Sequence, residues 1–168
     1  TDLIAVQPRK QTVSAYIANG GTSPDGNREI LEARGDVFPL PAEEGYIQNL
    51  TRTSGVAERF PAWSPDGKYI AYWSDKSGEY ELTIRDLTQG AAETKLTSMG
   101  AGFRYNIFWS PDSKKMVWVD QTMTFNMYNM DTKEWNKIDQ DGRLFEGGLR
   151  SWYPSWSADS KWLAYEKG

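Results

Sequence analysis

"RFPAWSPDGKYIAY" occupies residues 59–72, and its pattern returns twice: "NIFWSPDSKKMVWV" begins at Asn106 and "YPSWSADSKWLAY" at Tyr153. A fainter copy, "TSPDGNREIL", begins at Thr22. The serines that open the four turns are Ser23, Ser64, Ser110 and Ser157, at spacings of 41, 46 and 47 residues. A period of roughly 40–50 residues with strand-like segments inside it points to propeller blades rather than helical solenoids. The segments between the turns are aromatic and β-branched and lack a 3.6-residue period, as strands require.

One repeat parses in full. Strands are expected over 60–65, 69–74, 80–87 and 94–97, joined by the turns "SPDG" and "DKSGE" and the loop "TQGAAE". The next repeat gives 105–110, 116–120, 125–130 and 134–138. The first gives 14–22, 29–33, 37–41 and 46–51. The last holds only 153–157 and 162–166. In Ser-Pro-Asp-Gly, proline presets φ at the second turn position, and aspartate and glycine suit the next two. Ser64, Pro65, Asp66 and Gly67 are therefore read as a hairpin turn. Trp63, Trp109 and Trp156 are read as fillers of equivalent gaps between blades, with Thr22 a poor substitute. Ser113 and Ser160 replace the glycine, which is expected to leave a type I turn without positive φ. This chemistry explains the tetrapeptides as architecture with no function attached.

The fold class that follows is all-β: propeller blades, each a four-stranded antiparallel sheet. The expected division is an outer strand or linker of a preceding blade at 1–13, blades at 14–51, 52–98 and 99–140, and a partial blade at 141–168. About three and a half blades do not close a ring. With no initiating Met and an abrupt end at "LAYEKG", the chain is expected to be an excised fragment of a larger propeller; two chains completing one ring is the alternative.

Composition excludes several functions. The 168 residues carry a net charge of −4 with Lys and Arg scattered, which is no nucleic-acid footprint. No apolar run has the length of a membrane span, and no signal peptide is evident. There is no cysteine, which excludes disulfides and thiolate metal sites. There is no histidine, so neither a Ser-His-Asp site nor a His-bound metal can be built from this chain alone. No cofactor or metal is expected. "DKSGEYE" has too few carboxylates for an EF-hand calcium loop, and Asp66-Gly67 departs from a sialidase-type Asp box. Glu43-Glu44 and Glu79/Glu81 are the adjacent carboxylates available for acid–base work, with no pocket to support them. Asn49-Leu50-Thr51 matches a glycosylation sequon, a pattern common by chance.

Candidate contact residues lie just before the innermost strands, where the segments "TRTSGVAER", "SMGAGFRY" and "QDGRLFEGGLRSW" border the channel. Counting back from each Trp selects Glu58, Arg59, Arg104, Tyr105 and Trp152, and Arg150 lies in the same segment. An Arg and aromatic rim suits peptide carboxylates and carbonyls. The same residues also read as solvated loop residues with salt-bridge partners.

"EARGDVFPLP" (32–41), "NLTRTSGVAERFPAWSPDG" (49–67) and "SDKSGEYEL" (74–82) resemble the propeller region of bacterial Tricorn-type protease homologues. The resemblance is strong over residues 14–97; the remainder is similar to WD40-like, TolB-type blades. It implies a place in a seven-bladed propeller of a large serine peptidase, with further blades, a PDZ-like domain and the catalytic region elsewhere in the parent chain. The propeller would channel or filter peptides, and this chain itself would not be an enzyme. The alternative is a TolB-like protein-interaction propeller. The resemblance inclines the location to the periplasm, with the cytoplasm as alternative.

Overall fold

The computed structural model describes residues 12–142, 149 and 152–167. Among the described residues the regular structure comprises thirteen strands and two short 3-10 turns, with no α-helix. A 3-10 turn at Ser14–Tyr16 leads into β1 (Ile17–Thr22), β2 (Arg28–Ala33) and β3 (Asp36–Pro41), which form one three-stranded antiparallel sheet. The second sheet is β4 (Glu58–Trp63), β5 (Tyr69–Ser74), β6 (Glu81–Asp86) and β7 (Ala92–Lys95), in that order. The third runs β8 (Phe108–Trp109), β9 (Lys115–Val119), β10 (Thr124–Asn129) and β11 (Glu134–Gln140), also in chain order. β12 (Ser155–Trp156) and β13 (Leu163–Ala164) pair alone. Each sheet is an up-and-down meander, the topology of a blade. The expected outer strand at 1–13 falls almost wholly outside the described residues.

The repeated turn is built identically four times. Ser23, Ser64, Ser110 and Ser157 each donate Oγ–H to the turn aspartate, at 2.6, 2.7, 2.6 and 2.6 Å. The same hydroxyls accept the backbone N–H of Arg28, Tyr69, Lys115 and Trp162, each at 2.9 Å. Each serine carbonyl accepts the N–H three residues on, at 2.9 Å. The aspartate Oδ1 accepts a further N–H, that of Asn27, Lys68, Lys114 or Lys161. The turn residue at the fourth position lies in the left-handed region every time: Gly26 at φ 72°, Gly67 at 71°, Ser113 at 59° and Ser160 at 58°. This is a type I turn followed by a left-handed residue, set in a four-residue hairpin loop between the serine and the residue five positions on.

The two serines therefore do not escape positive φ, contrary to the sequence expectation. Their hydroxyls explain it. Ser113 Oγ accepts the N–H of Asp66 at 3.0 Å, and Ser160 Oγ accepts the N–H of Asp112 at 3.0 Å. Each of these bonds joins one blade's turn to the preceding blade's turn. The bond offsets the cost of about 1–2 kcal/mol for a non-glycine residue in this region.

The fourth strand expected at 46–51 does not form. Val37 presents its N–H and C=O outward, bonding Thr51 Oγ1 at 3.3 Å and the N–H of Leu50 at 2.8 Å. The next outward positions on β3 are Pro39 and Pro41, which have no N–H to donate. A strand beside them would lack its ladder bonds, so the chain leaves the sheet edge after one contact.

The main core lies between the second and third sheets. Trp73, Leu82 and Ile84 of one face meet Trp109, Met116, Trp118 and Tyr128 of the other. Trp73 and Trp118 pack edge to face at 5.2 Å, an arrangement worth about 0.5–1.5 kcal/mol beyond area burial. Trp109 fills the gap expected of it: it stacks on Tyr69 at 6.4 Å and donates Nε1–H to the Ala62 carbonyl at 3.3 Å. Trp63 packs against a smaller core of Ile30, Val37, Ile70 and Tyr72 between the first two sheets. Trp156 receives the Lys115 ammonium at 5.9 Å from its ring centroid, across the third and last sheets.

Ser113→Ala keeps the strained φ and loses the bond to Asp66, whereas Ser113→Gly loses the bond but relieves the strain. We expect the alanine variant to lose about 1–3 kcal/mol in denaturant unfolding and the glycine variant distinctly less. An alanine variant as stable as the glycine variant would contradict the cross-blade bond.

Candidate functional site

The innermost strand of each sheet faces a common axis. Between them lies a groove of about 360 Å³, bordered by Gly20, Gly21 and Thr22 of β1, Pro61 and Ala62 of β4, Asn106 and Phe108 at β8, and Tyr153 before β12. None of its lining side chains is charged. A Cβ at Gly21 would meet nothing within 4 Å, so this glycine leaves the groove open rather than serving close packing.

A bulge shapes the β4 wall. The pairing of β4 with β5 shifts register between Arg59 and Ala62. Phe60 sits at φ 51°, strained for an aromatic residue, and Pro61 has no N–H. The ladder is broken here, and the buried Glu32 compensates: its Oε2 accepts the Phe60 N–H at 2.9 Å and Asn19 Nδ2–H at 2.5 Å. One carboxylate thus ties the inner strands of the first two blades together at the groove wall. Sequence reading missed Glu32 because nothing in its local pattern distinguishes it from the half-buried Glu29.

The expected rim residues separate into two groups. Arg59, Tyr105 and Trp152 lie on aromatic seams between blades. The Arg59 guanidinium stands 5.9 Å from the Tyr80 ring centroid, and Tyr80 meets Phe103 at 5.7 Å, which meets Tyr105 at 5.1 Å. Trp152 packs on Phe108 at 5.6 Å and on Phe125 at 5.0 Å. Arg104 and Glu58 are instead withdrawn from solvent, at 5% and 1% exposure. The Arg104 guanidinium donates to the carbonyls of Tyr80, Gly102 and Gly100 at 2.9, 2.6 and 2.8 Å, which turns both terminal nitrogens inward to hold the 99–104 loop against Tyr80, while its Nε is buried without a partner. Glu58 Oε1 accepts the Thr53 hydroxyl at 2.5 Å, while Oε2 is buried without a hydrogen-bond partner. Burial pushes the Glu58 carboxyl above the usual carboxylate range, with the threonine hydroxyls opposing. Arg150 lies outside the described residues.

The other carboxylates do not assemble an acid–base pair. Glu81 is buried and accepts from Thr97 Oγ1 at 2.6 Å and from the N–H groups of Met99 and Gly100 at 2.7 and 3.0 Å, whereas Glu79 is exposed. Thr97 also accepts the Leu82 N–H at 2.9 Å, the same duty Thr51 performs for Val37. Both threonines close a Leu-Thr pair spaced by 46 residues, a repeat signal legible in the sequence but not used. Among the described residues no group of three or more His, Cys, Asp or Glu is placed to hold a metal ion.

Four antiparallel sheets around one axis are now defined, and known proteins share them. The tricorn protease structure superposes at a TM-score of 0.70 with 16% identity, covering 89% of this chain and 14% of that one. The fold is a run of β-propeller blades. In sequence, the chain is 31% identical over 100 residues to the Tol-Pal system protein TolB of Haemophilus influenzae, covering 58% of this chain and 21% of TolB. It is 36% identical over 108 residues to dipeptidyl-peptidase 5 of Porphyromonas gingivalis, covering 55% of this chain and 16% of the peptidase. The chain therefore spans about a fifth or less of these relatives. No family model matches it. The resemblance to TolB-like and Tricorn-type propeller regions is thus supported by both sequence and fold.

Glu58 supplies the test of this end of the blade. Its folded pKa is raised, so the fold favours the protonated acid: the wild type gains stability as pH falls through that pKa and carries a penalty above it. Glu58→Gln keeps an acceptor for Thr53 and removes the charge. We expect it to be more stable than wild type at pH 7, by on the order of 1 kcal/mol, with the difference shrinking toward pH 4. Equal or lower stability at pH 7 in thermal or denaturant unfolding would contradict the buried, unpaired oxygen.

Proposed function

We propose that this chain is a non-catalytic propeller segment of a Tricorn-like serine protease, which channels or filters peptides toward an active site elsewhere in the parent chain. The observation that carries the reading is the uncharged axial groove, about 360 Å³, whose walls are backbone-rich inner strands with aromatic rings at one side. Such a surface offers hydrogen bonds and apolar contact to a passing chain without trapping a charged side chain. The sequence has no histidine and no cysteine, which agrees with chemistry performed outside it. The implied partners are further blades, PDZ-like and catalytic domains of the parent, and peptides, some contacting the rim at Arg59, Tyr105, Arg150 and Trp152. The location proposed is periplasmic, with cytoplasmic as alternative.

A second reading, a TolB-like protein-interaction propeller, is favoured by the identity to TolB. There the groove or end face would hold a folded partner rather than an extended peptide.

Gly21 separates the two. Gly21→Phe adds a large side chain at a groove-lining position where a Cβ meets nothing within 4 Å. In the parent protein it should slow cleavage of long peptides at least several-fold and leave the shortest substrates unaffected. Unchanged cleavage at every peptide length would sink the channelling reading. Capture of a folded protein partner by a parent lacking peptidase activity would establish the alternative.

A further inference from the structure

We propose that the second blade carries a binding site for a small oxyanion, a carboxylate or a phosphate, between Ser74, Ser77 and Thr83 on one side and Lys76 and Lys95 on the other. The proposal is independent of the peptide reading. A pocket of about 230 Å³ lies on this side of the blade, away from the axis, lined by these five residues and Glu93.

The geometry sets the charge balance. Glu93 is fully engaged: Oε1 accepts Lys76 Nζ at 2.7 Å, and Oε2 accepts Arg85 Nη2 at 2.7 Å and Tyr72 O–H at 3.1 Å. Although burial acts to raise it, the Lys76 and Arg85 bonds hold the Glu93 carboxyl below the usual carboxylate range, so it is ionised at neutral pH. Two cations thus hold one carboxylate. Arg85 spends a further donor on the Ala91 carbonyl at 3.1 Å and another on Tyr72 Oη at 3.1 Å. The Lys95 ammonium makes no hydrogen bond or ion pair with any described residue, and Lys95 stands directly across the β6–β7 ladder from Thr83. Glu58 and Glu81 share this face, each directly across from Ser74, so what the pocket offers an anion is the exposed, unpaired Lys95 ammonium at its mouth rather than a broad positive field.

The hydroxyls supply the floor. Ser74 and Thr83 are 4% and 3% exposed and are neighbours across the β5–β6 pair, on the same face of the sheet. Ser74 Oγ accepts only the long bond from the Lys76 N–H, at 3.4 Å, which leaves its proton free. Thr83 spends its proton on the Glu81 carbonyl at a weak 3.3 Å. The free Ser74 hydroxyl proton at the base of the pocket and the unpaired ammonium at its edge match the acceptor-only oxygens of a carboxylate or phosphate. A cation would meet two lysines, and an apolar ligand would desolvate both.

Calorimetric titration of the full chain with inorganic phosphate, and separately with succinate, tests this at an ionic strength fixed with chloride. Saturable binding at one site is expected. Lys95→Met should weaken it about tenfold with an unchanged thermal midpoint, since Lys95 is exposed and unpaired. Ser77→Ala, also at an exposed position, should weaken it less. Binding of phosphate alone would identify a phosphate site, and binding of succinate as well a general oxyanion site. Absence of saturation with both anions, or Lys95→Met binding as wild type does, would overturn the proposal.

Discussion

The hydroxyl of the turn serine is the constraint on which the rest of the structure depends. Each of the four copies is donor and acceptor at once, to the turn aspartate and from the residue five positions on, which opens the next strand in the first three copies. The bond fixes a left-handed residue at the hairpin, and the loop fixes the register of the two inner strands. Ser64 and Ser110 are fully buried, so the hydroxyl has no water to fall back on if its partners are lost. Pairing of inner strands then decides which rings face which neighbour. Trp73 and Trp118 meet only if β5 and β9 keep their faces, since a slip of one residue would turn both outward.

From that register comes the joining of blade to blade. The left-handed serines Ser113 and Ser160 reach back to the preceding turn, and the Trp109 indole reaches back to the Ala62 carbonyl. The first junction is made differently. Gly67 offers no hydroxyl to Asp25, and Glu32 instead crosses to the Phe60 N–H. The groove along the axis is a by-product of these junctions: inner strands held edge-on to a common centre, with glycine, proline and alanine where bulkier side chains would fill it.

What was legible in the sequence was whatever is local. Proline at the second turn position and alternating aromatics placed β5, β6, β9 and β10 to within a residue or two. What was not legible depended on a neighbour. The left-handed φ of Ser113 makes sense only beside the Asp66 N–H, 47 residues away. Arg104 looked like an exposed loop charge, because a cage of three carbonyls has no signature in sequence. Two misses had signals that went unread. Pro39 and Pro41, two apart, mark a sheet edge that cannot take another strand. The Leu-Thr pairs at Thr51 and Thr97 repeat with the period of the turns. The groove itself was inferred only as a rim, and Gly21 was not singled out, since an open glycine and a packed one read alike.

Amide hydrogen exchange read residue by residue along the turns tests the central claim most directly. The N–H groups of Asp66 and Asp112 are bonded to serine hydroxyls of the following blade, while Asp25 faces Gly67 and has no such acceptor. The account predicts that Asp66 and Asp112 exchange much more slowly than Asp25, in three turns otherwise built alike. Exchange of all three at the same rate would contradict it, and would mean that the serine hydroxyls do not join one turn to the next.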